Sequence, residues 1–281
     1  MNYLYDYHIH TTYSIDGHNK VVEICNAAIA NGLKEIAITD HFELTPLDDS
    51  YNNFDLSGYL SDIAYANEVF KGKLKIKSGI ELGQPQLFPR IAKNLSDFAQ
   101  FDYIIGSIHK LPEGMDFSEI DYRNSELKDM CALYLNQVKN LIINGNFDCV
   151  GHLDLIKRYS TEHYKTKITL MTQYELLKQV LEIIISKGKG IEINTSGIRQ
   201  APRETMPGID VLKLYHNLGG EILTIGSDSH YTEHVGKDLK VAIDNAESAG
   251  FKYLTIFNKR NPEWIKISNS CSFYFRHKKI I

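Results

Sequence analysis

Strand-like segments that end on metal-ligating side chains, alternating with helical segments along the whole chain, are what most restrict the folds open to this sequence. There are seven: 4–10, 36–41, 76–81, 103–109, 148–152, 191–194 and 225–230. Most are β-branched or aromatic, and they deliver His8 and His10, His41, Glu81, His109, His152, Asn194, and Asp228 with His230. Between them, apolar residues recur at helical spacing, as in Val21, Ile24, Cys25, Ala28 and Ile29, with Gly32 placed to end that helix. The patterns predict helices over 20–31, 55–70, 89–98, 124–144, 172–187, 210–218 and 232–250. Residues 154–167 read as irregular, and 253–257 as a last short strand. Strands apolar on both faces imply a parallel sheet covered on both sides by helices, and a closed TIM-like α/β barrel is the simplest such architecture. The expectation is a single domain over 1–265 followed by a peripheral tail, 266–281.

In such barrels the active site lies at the C-terminal ends of the strands, where these ligands fall. His8 and His10 stand two apart on one strand, so both face the same side and can hold one ion together. Glu81 closes an apolar strand, and a carboxylate there needs a cation or hydrogen bonds. Asp16 alone could be a turn aspartate and His41 alone a capping-region histidine, but unrelated core histidines have no reason to collect at strand ends. Six of the eleven histidines do so. His18 and His234 lie beside these segments and read as surface histidines. The pattern points to a polynuclear metal site and hydrolytic chemistry. Imidazole and carboxylate ligands without thiolates suit Zn, Mn or Fe(II) rather than a structural zinc finger.

Composition removes several alternatives. At 281 residues, 43% of them hydrophobic, the chain can bury a large core. Its net charge is −4 and no Lys/Arg block is present, so no nucleic-acid partner is expected. Cys25, Cys131, Cys149 and Cys271 form no CxxC and read as free thiols in a reducing compartment. No leader-like N-terminus or membrane-length apolar run occurs, so a cytoplasmic protein without membrane contact is expected.

Taken in order, Asp6-x-His8-x-His10, Ser14-x-Asp16-Gly17, Thr39-Asp40-His41, Gly79-x-Glu81, Gly106-Ser107-x-His109, Gly151-His152-x-Asp154 and Gly226-Ser227-Asp228-x-His230 resemble the PHP (polymerase and histidinol phosphatase) superfamily. Together these strings are specific, and they run the length of the chain. The resemblance implies a distorted (β/α)7 barrel with two or three divalent transition metal ions. It implies His8, His10, Glu81 and Asp228 on one ion, Glu81, His109 and His152 on a second, and Asp16, His41 and His230 on a third. Asp16 stands where some relatives have a histidine. Chain length and the 253–257 strand look most like the stand-alone histidinol-phosphate phosphatases of the family. The activity implied is hydrolysis of L-histidinol phosphate to L-histidinol and inorganic phosphate in histidine biosynthesis, with a metal-bridging hydroxide attacking phosphorus.

A small-molecule phosphate monoester needs cationic donors besides metals. Arg158 and Arg199 are placed on rim loops, Arg203 and Lys110 are weaker candidates, and Ser196 can donate a hydrogen bond. Glu81, Asp228 and His230 are the candidate catalytic residues, the last two as proton donors to the leaving group. Asp6, Asp40 and Asp154 adjoin ligand histidines and are expected to orient them. The alternatives are a phosphoesterase of the same family acting on a nucleotide, phosphotyrosine or oligonucleotide, and a non-catalytic metal-binding module.

Overall fold

The computed structural model describes residues 4–267, apart from 47, 49, 50, 52, 100, 123–125, 166 and 167. Its centre is a parallel sheet of β1 (Tyr5–Asp6), β2 (Glu35–Ile38), β4 (Lys75–Gly83), β5 (Tyr103–Ser107), β6 (Cys149–Val150), β7 (Gly190–Asn194) and β8 (Leu223–Gly226), in that spatial order. The sheet closes on itself. Beyond β1 the chain runs on to His10, and Tyr7 N–H donates to the Ile225 carbonyl (3.0 Å), Asp228 N–H to His8 (2.8 Å) and His10 N–H to Ser229 (2.8 Å). The result is a distorted (β/α)7 TIM-like barrel, a single α/β domain.

One element departs from expectation. The segment expected to end on His41 runs on past it. β3 (His41–Glu43) pairs parallel with β4 in the register that β2 has already set, Glu35 opposite Lys75 and His41 opposite Glu81. The Asp40 carbonyl accepts from Glu81 N–H (3.0 Å) and keeps the ladder continuous. His41 therefore stands directly beside Glu81 on the neighbouring strand.

Helices cover the outside. In α1 (Val21–Ala30) the buried residues Val21, Ile24, Cys25 and Ala28 form one stripe, and Gly32 follows with φ 77°. α2 (Leu56–Val69), α3 (Pro89–Ala99), α4 (Leu127–Asn144), α6 (Tyr174–Ser186) and α8 (Ile209–Asn217) fall where the periodicity places them. The 154–167 segment instead contains α5 (Ile156–Tyr164). Its inward face carries Lys157, 1% exposed, whose Nζ lies 2.8 Å from Asp154 and 3.2 Å from Glu204. A helix seated by a buried ion pair leaves no hydrophobic period to read. α7 (Ser196–Arg199) is a single turn, and α9 (Leu239–Ala249) starts late because Gly236 and Asp238 take positive φ before it. Cys25, Cys131 and Cys149 are buried and free, while Cys271 and the tail from 268 lie outside the described residues. Among the described residues no helix is long and apolar enough to cross a membrane.

The expected last strand, β9 (Tyr253–Asn258), is half of an antiparallel hairpin with β10 (Asn261–Lys266). Its two-residue turn, Lys259-Arg260, has φ of 49° and 63°, the backbone a tight hairpin requires but one usually built from Gly or Asn. The turn is pinned from below: Lys259 N–H donates to Asp102 Oδ1 (3.0 Å), and the Arg260 guanidinium donates to Asp148 and to Asn146 Oδ1 (3.0 Å). Phe257 stacks on Tyr103 at 4.9 Å, so the hairpin seals the end of the barrel opposite the ligands. Arg260→Ala should lower stability by about 2 kcal/mol, because it removes the charged partner of the largely buried Asp148 carboxylate and leaves it the Ile104 N–H. Urea denaturation should show the loss, while metal content at the other end stays full.

Candidate metal centre

The inward side chains at the C-terminal ends of the strands meet around Glu81. Its Oε2 lies 3.1 Å from His8 Nε2, 3.5 Å from His10 Nε2 and 3.1 Å from His41 Nδ1. Its Oε1 lies 3.1 Å from His109 Nε2 and 2.8 Å from His152 Nε2, and accepts from Ser107 Oγ at 2.6 Å. Asp228 Oδ1 adds a second carboxylate, 3.3 Å from His10 Nε2 and 3.7 Å from His8 Nε2. At the mouth, Asp16 Oδ2 lies 3.0 Å from His230 and 3.7 Å from His41. His152 and Asp228 both hold positive φ (23° and 53°), a strained backbone that persists where surroundings enforce it, often at functional sites.

What fixes the imidazoles is as informative as where they point. His8 Nδ1 donates to Glu192 Oε1 (2.7 Å) and His109 Nδ1 to Glu43 Oε1 (3.0 Å), so each turns its Nε2 inward. Ser14 Oγ donates to Asp40 (2.7 Å) and so must accept from His10 Nδ1 (3.1 Å). That leaves His10 Nε2 a buried lone pair with no hydrogen-bond partner, facing carboxylates. Lone pairs aimed at carboxylates repel unless a cation lies between them. His41 Nδ1 and His152 Nδ1 are likewise buried without hydrogen bonds. The donor set fits divalent transition metals.

The electrostatics agree. Burial would raise the Glu81 carboxyl, but His8, His41 and His109 hold it well below the usual range. Burial likewise opposes the low Asp228 carboxyl, which the His8 and His10 imidazoles stabilise. Burial, with His230 and His41 as neighbours, drives His10 down to about 3, so it is a free base at neutral pH. His41 goes the other way: burial pulls it down, yet Glu81 and Asp16 lift it to about 9.

Among the described residues, three groups have ligand atoms within 4.8 Å of one another: His10, Asp16, His41 and His230; His8, His10 and Glu81; and His41, Glu81 and His109. All nine expected ligands are thus gathered here, with His41 lying between two groups.

The cleft over them has a volume of about 510 Å³. Arg158 lies in its wall, Nη2 donating to Asp228 Oδ2 (3.2 Å) and Ser196 Oγ (3.0 Å). Ser196 in turn donates to Asp228 Oδ2 (3.0 Å). Lys110 also lines the cleft and pairs with Asp48 at 3.1 Å. Arg199 lines the adjoining cavity. Its Nη2 donates to the Ser227 carbonyl (2.6 Å), and with Arg203 it borders a space that shares Arg158, Tyr159 and Gln200 with the cleft. It braces the backbone that leads into Asp228.

The three aspartates expected to orient histidines act mainly on backbone and loops. Asp6 accepts from Ser227 and Gly236 N–H (both 2.8 Å), Asp154 from Lys157, and Asp40 reaches His10 only through Ser14. Glu192 and Glu43, to which the sequence reading gave no role, do the orienting. The available signal was an acid inside an apolar strand, as at Glu81. Gly226 is required beside Glu192, since a Cβ there would lie 2.3 Å from both Glu192 Oε1 and His8 Cβ. Glu192→Ala should weaken metal binding roughly 10- to 100-fold, measured by competition with a chromophoric chelator.

The PHP domain family model matches residues 6–196 of this chain. The chain belongs to the PHP domain family. Asp228 and His230 lie beyond the matched residues but in the same cluster. This PHP chain is 31% identical over 260 residues to a histidinol-phosphatase of Lactococcus lactis, spanning 90% of this chain and 94% of the relative. It is 25% identical to the histidinol-phosphatase of Bacillus subtilis, spanning 82% of this chain and 95% of the relative. The crystal structure of the Lactococcus lactis histidinol phosphate phosphatase with zinc, L-histidinol and phosphate superposes with a TM-score of 0.80 at 28% identity, covering 92% of this chain and 98% of that one.

Proposed function

We propose that this PHP chain is a metal-dependent phosphatase that hydrolyses L-histidinol phosphate to L-histidinol and inorganic phosphate, within histidine biosynthesis. The observation that carries the reading is the Glu81 carboxylate set among five imidazoles whose nitrogens face it. Relatives of matching length that are named for this activity support the substrate.

His8, His10, Glu81 and Asp228 would hold one ion, Glu81, His109 and His152 a second, and Asp16, His41 and His230 a third, as Zn, Mn or Fe(II). Such ions supply Lewis-acid charge against phosphoryl oxygens and acidify water. The chain supplies the rest. Arg158 offers a guanidinium to the phosphate from the cleft wall, with Lys110 as a second cation on the lining. Asn194 and Ser196 hold Asp228 in place, donating to its Oδ2 at 3.2 and 3.0 Å. Proton delivery to the leaving alkoxide falls to His230, 23% exposed, which burial lowers but Asp16 and Asp228 raise; the Asp228 carboxyl, held low, has no proton to give.

Arg158→Ala should lower kcat/KM for histidinol phosphate roughly 100-fold with the metals retained, since it removes a charged phosphate contact and no ligand. Steady-state kinetics on metal-quantified protein decide this. A panel of histidinol phosphate, p-nitrophenyl phosphate, AMP, phosphotyrosine and a short oligonucleotide tests the substrate. Histidinol phosphate should lead by roughly ten-fold or more in kcat/KM, and a higher value for any other member would overturn the assignment.

A further inference from the structure

Two aromatic rings on the rim of the cleft have no part in the ligand cluster or in the core. His18 and Tyr231 lie stacked, centroids 4.2 Å apart and planes 16° from parallel, and both line the cleft over the ligands. Tyr231 is 43% exposed and His18 is exposed as well. Their segments are tied together: His18 N–H donates to the His230 carbonyl (3.1 Å), and Thr232 N–H to Asn19 Oδ1 (3.0 Å). The His234 ring buttresses Tyr231 edge-on at 5.7 Å. Single exposed aromatics are ordinary on a protein surface. A pair held parallel by flanking hydrogen bonds at the mouth of a site is a preformed flat surface, and its ordering is already complete before a ligand arrives.

We infer that the His18–Tyr231 stack is the platform for the substrate's aromatic heterocycle. It selects phosphate monoesters that carry a flat ring a short carbon linker away from the ester oxygen. This rests on the reading of histidinol phosphate as the substrate. The spacing suits it, because Tyr231 directly follows His230 and His18 lies two residues past Asp16. A ring laid against the stack leaves its phosphate to reach inward to the cluster at Glu81. Offset stacking of a heterocycle on an aromatic side chain has the magnitude to set a preference of roughly ten-fold.

The test compares histidinol phosphate with O-phosphoethanolamine, which keeps the amine and ester but has no ring. Wild type, Tyr231→Ala, His18→Ala, Tyr231→Phe and Tyr159→Ala are assayed as metal-loaded enzymes, with metal content measured in each. Tyr231→Ala and His18→Ala should raise KM for histidinol phosphate and lower the ratio of kcat/KM values between the two substrates by roughly ten-fold. Tyr231→Phe keeps the ring and should restore the ratio. A ratio that stays at the wild-type value in both alanine variants would overturn the inference. So would a fall seen only in Tyr159→Ala, which places the ring on the other non-ligand aromatic of the lining. A wild-type enzyme that leaves histidinol phosphate uncleaved refutes the substrate assignment itself, which is a separate outcome.

Discussion

Glu81→Ala should lose two bound ions per chain and lower kcat/KM on the order of a thousand-fold or more, with the barrel still folded. Each Glu81 oxygen faces a different set of imidazoles: Oε2 meets His8, His10 and His41, and Oε1 meets His109 and His152. Removing the side chain therefore takes the negative charge from two ion positions at once. Asp16→Ala is the contrast. Asp16 lies at the mouth, half exposed, and its carboxylate pairs with His41 and His230, so its loss should cost one ion at most. Metal analysis of the two purified variants decides between the assignments, and equal metal content would contradict a bridging Glu81.

Chelation should abolish activity and also soften the protein. Ions that bind only the folded state stabilise it by mass action, about 4 kcal/mol at a thousand-fold excess over Kd. For a chain of this size that corresponds to a fall in Tm of about 10 °C when the ions are stripped. The sign of the accompanying proton exchange follows from the site. Burial lowers the His41 and His109 imidazoles, but Glu81 leads the groups that raise both above their usual range, so the metal-free protein carries protons there at neutral pH. Metal must displace them. Calorimetric titration at pH 7 in two buffers of different ionisation enthalpy should show net proton release on loading. Net uptake would contradict the charge state described here.

Much of this architecture was readable in the sequence because it is local. A strand that stops at a ligand is written in consecutive residues, and the parallel barrel follows from repetition with helices. What escaped the reading depends on partners far along the chain. His8 meets Glu192 across 184 residues, and His109 meets Glu43 across 66. No spacing rule links such pairs before the barrel closes. α5 was missed because its buried face carries Lys157 instead of an apolar stripe, and β10 because its turn uses Lys259-Arg260 where glycine or asparagine would have announced it. Arg199 adds another such partner. Its Nη2 donates to the Ser227 carbonyl across 28 residues, while its Nη1 is buried without a hydrogen bond.

These side chains are expected to collect cations at one mouth of the barrel. A crystal of the manganese-loaded protein, measured for anomalous scattering at the manganese edge, tests it most directly. At least two peaks should lie inside the cleft, with the Glu81 carboxylate between two of them and imidazole nitrogens of His8, His10, His109 and His152 around them. A map with no peak there, or with manganese bound only at surface carboxylates, would contradict it.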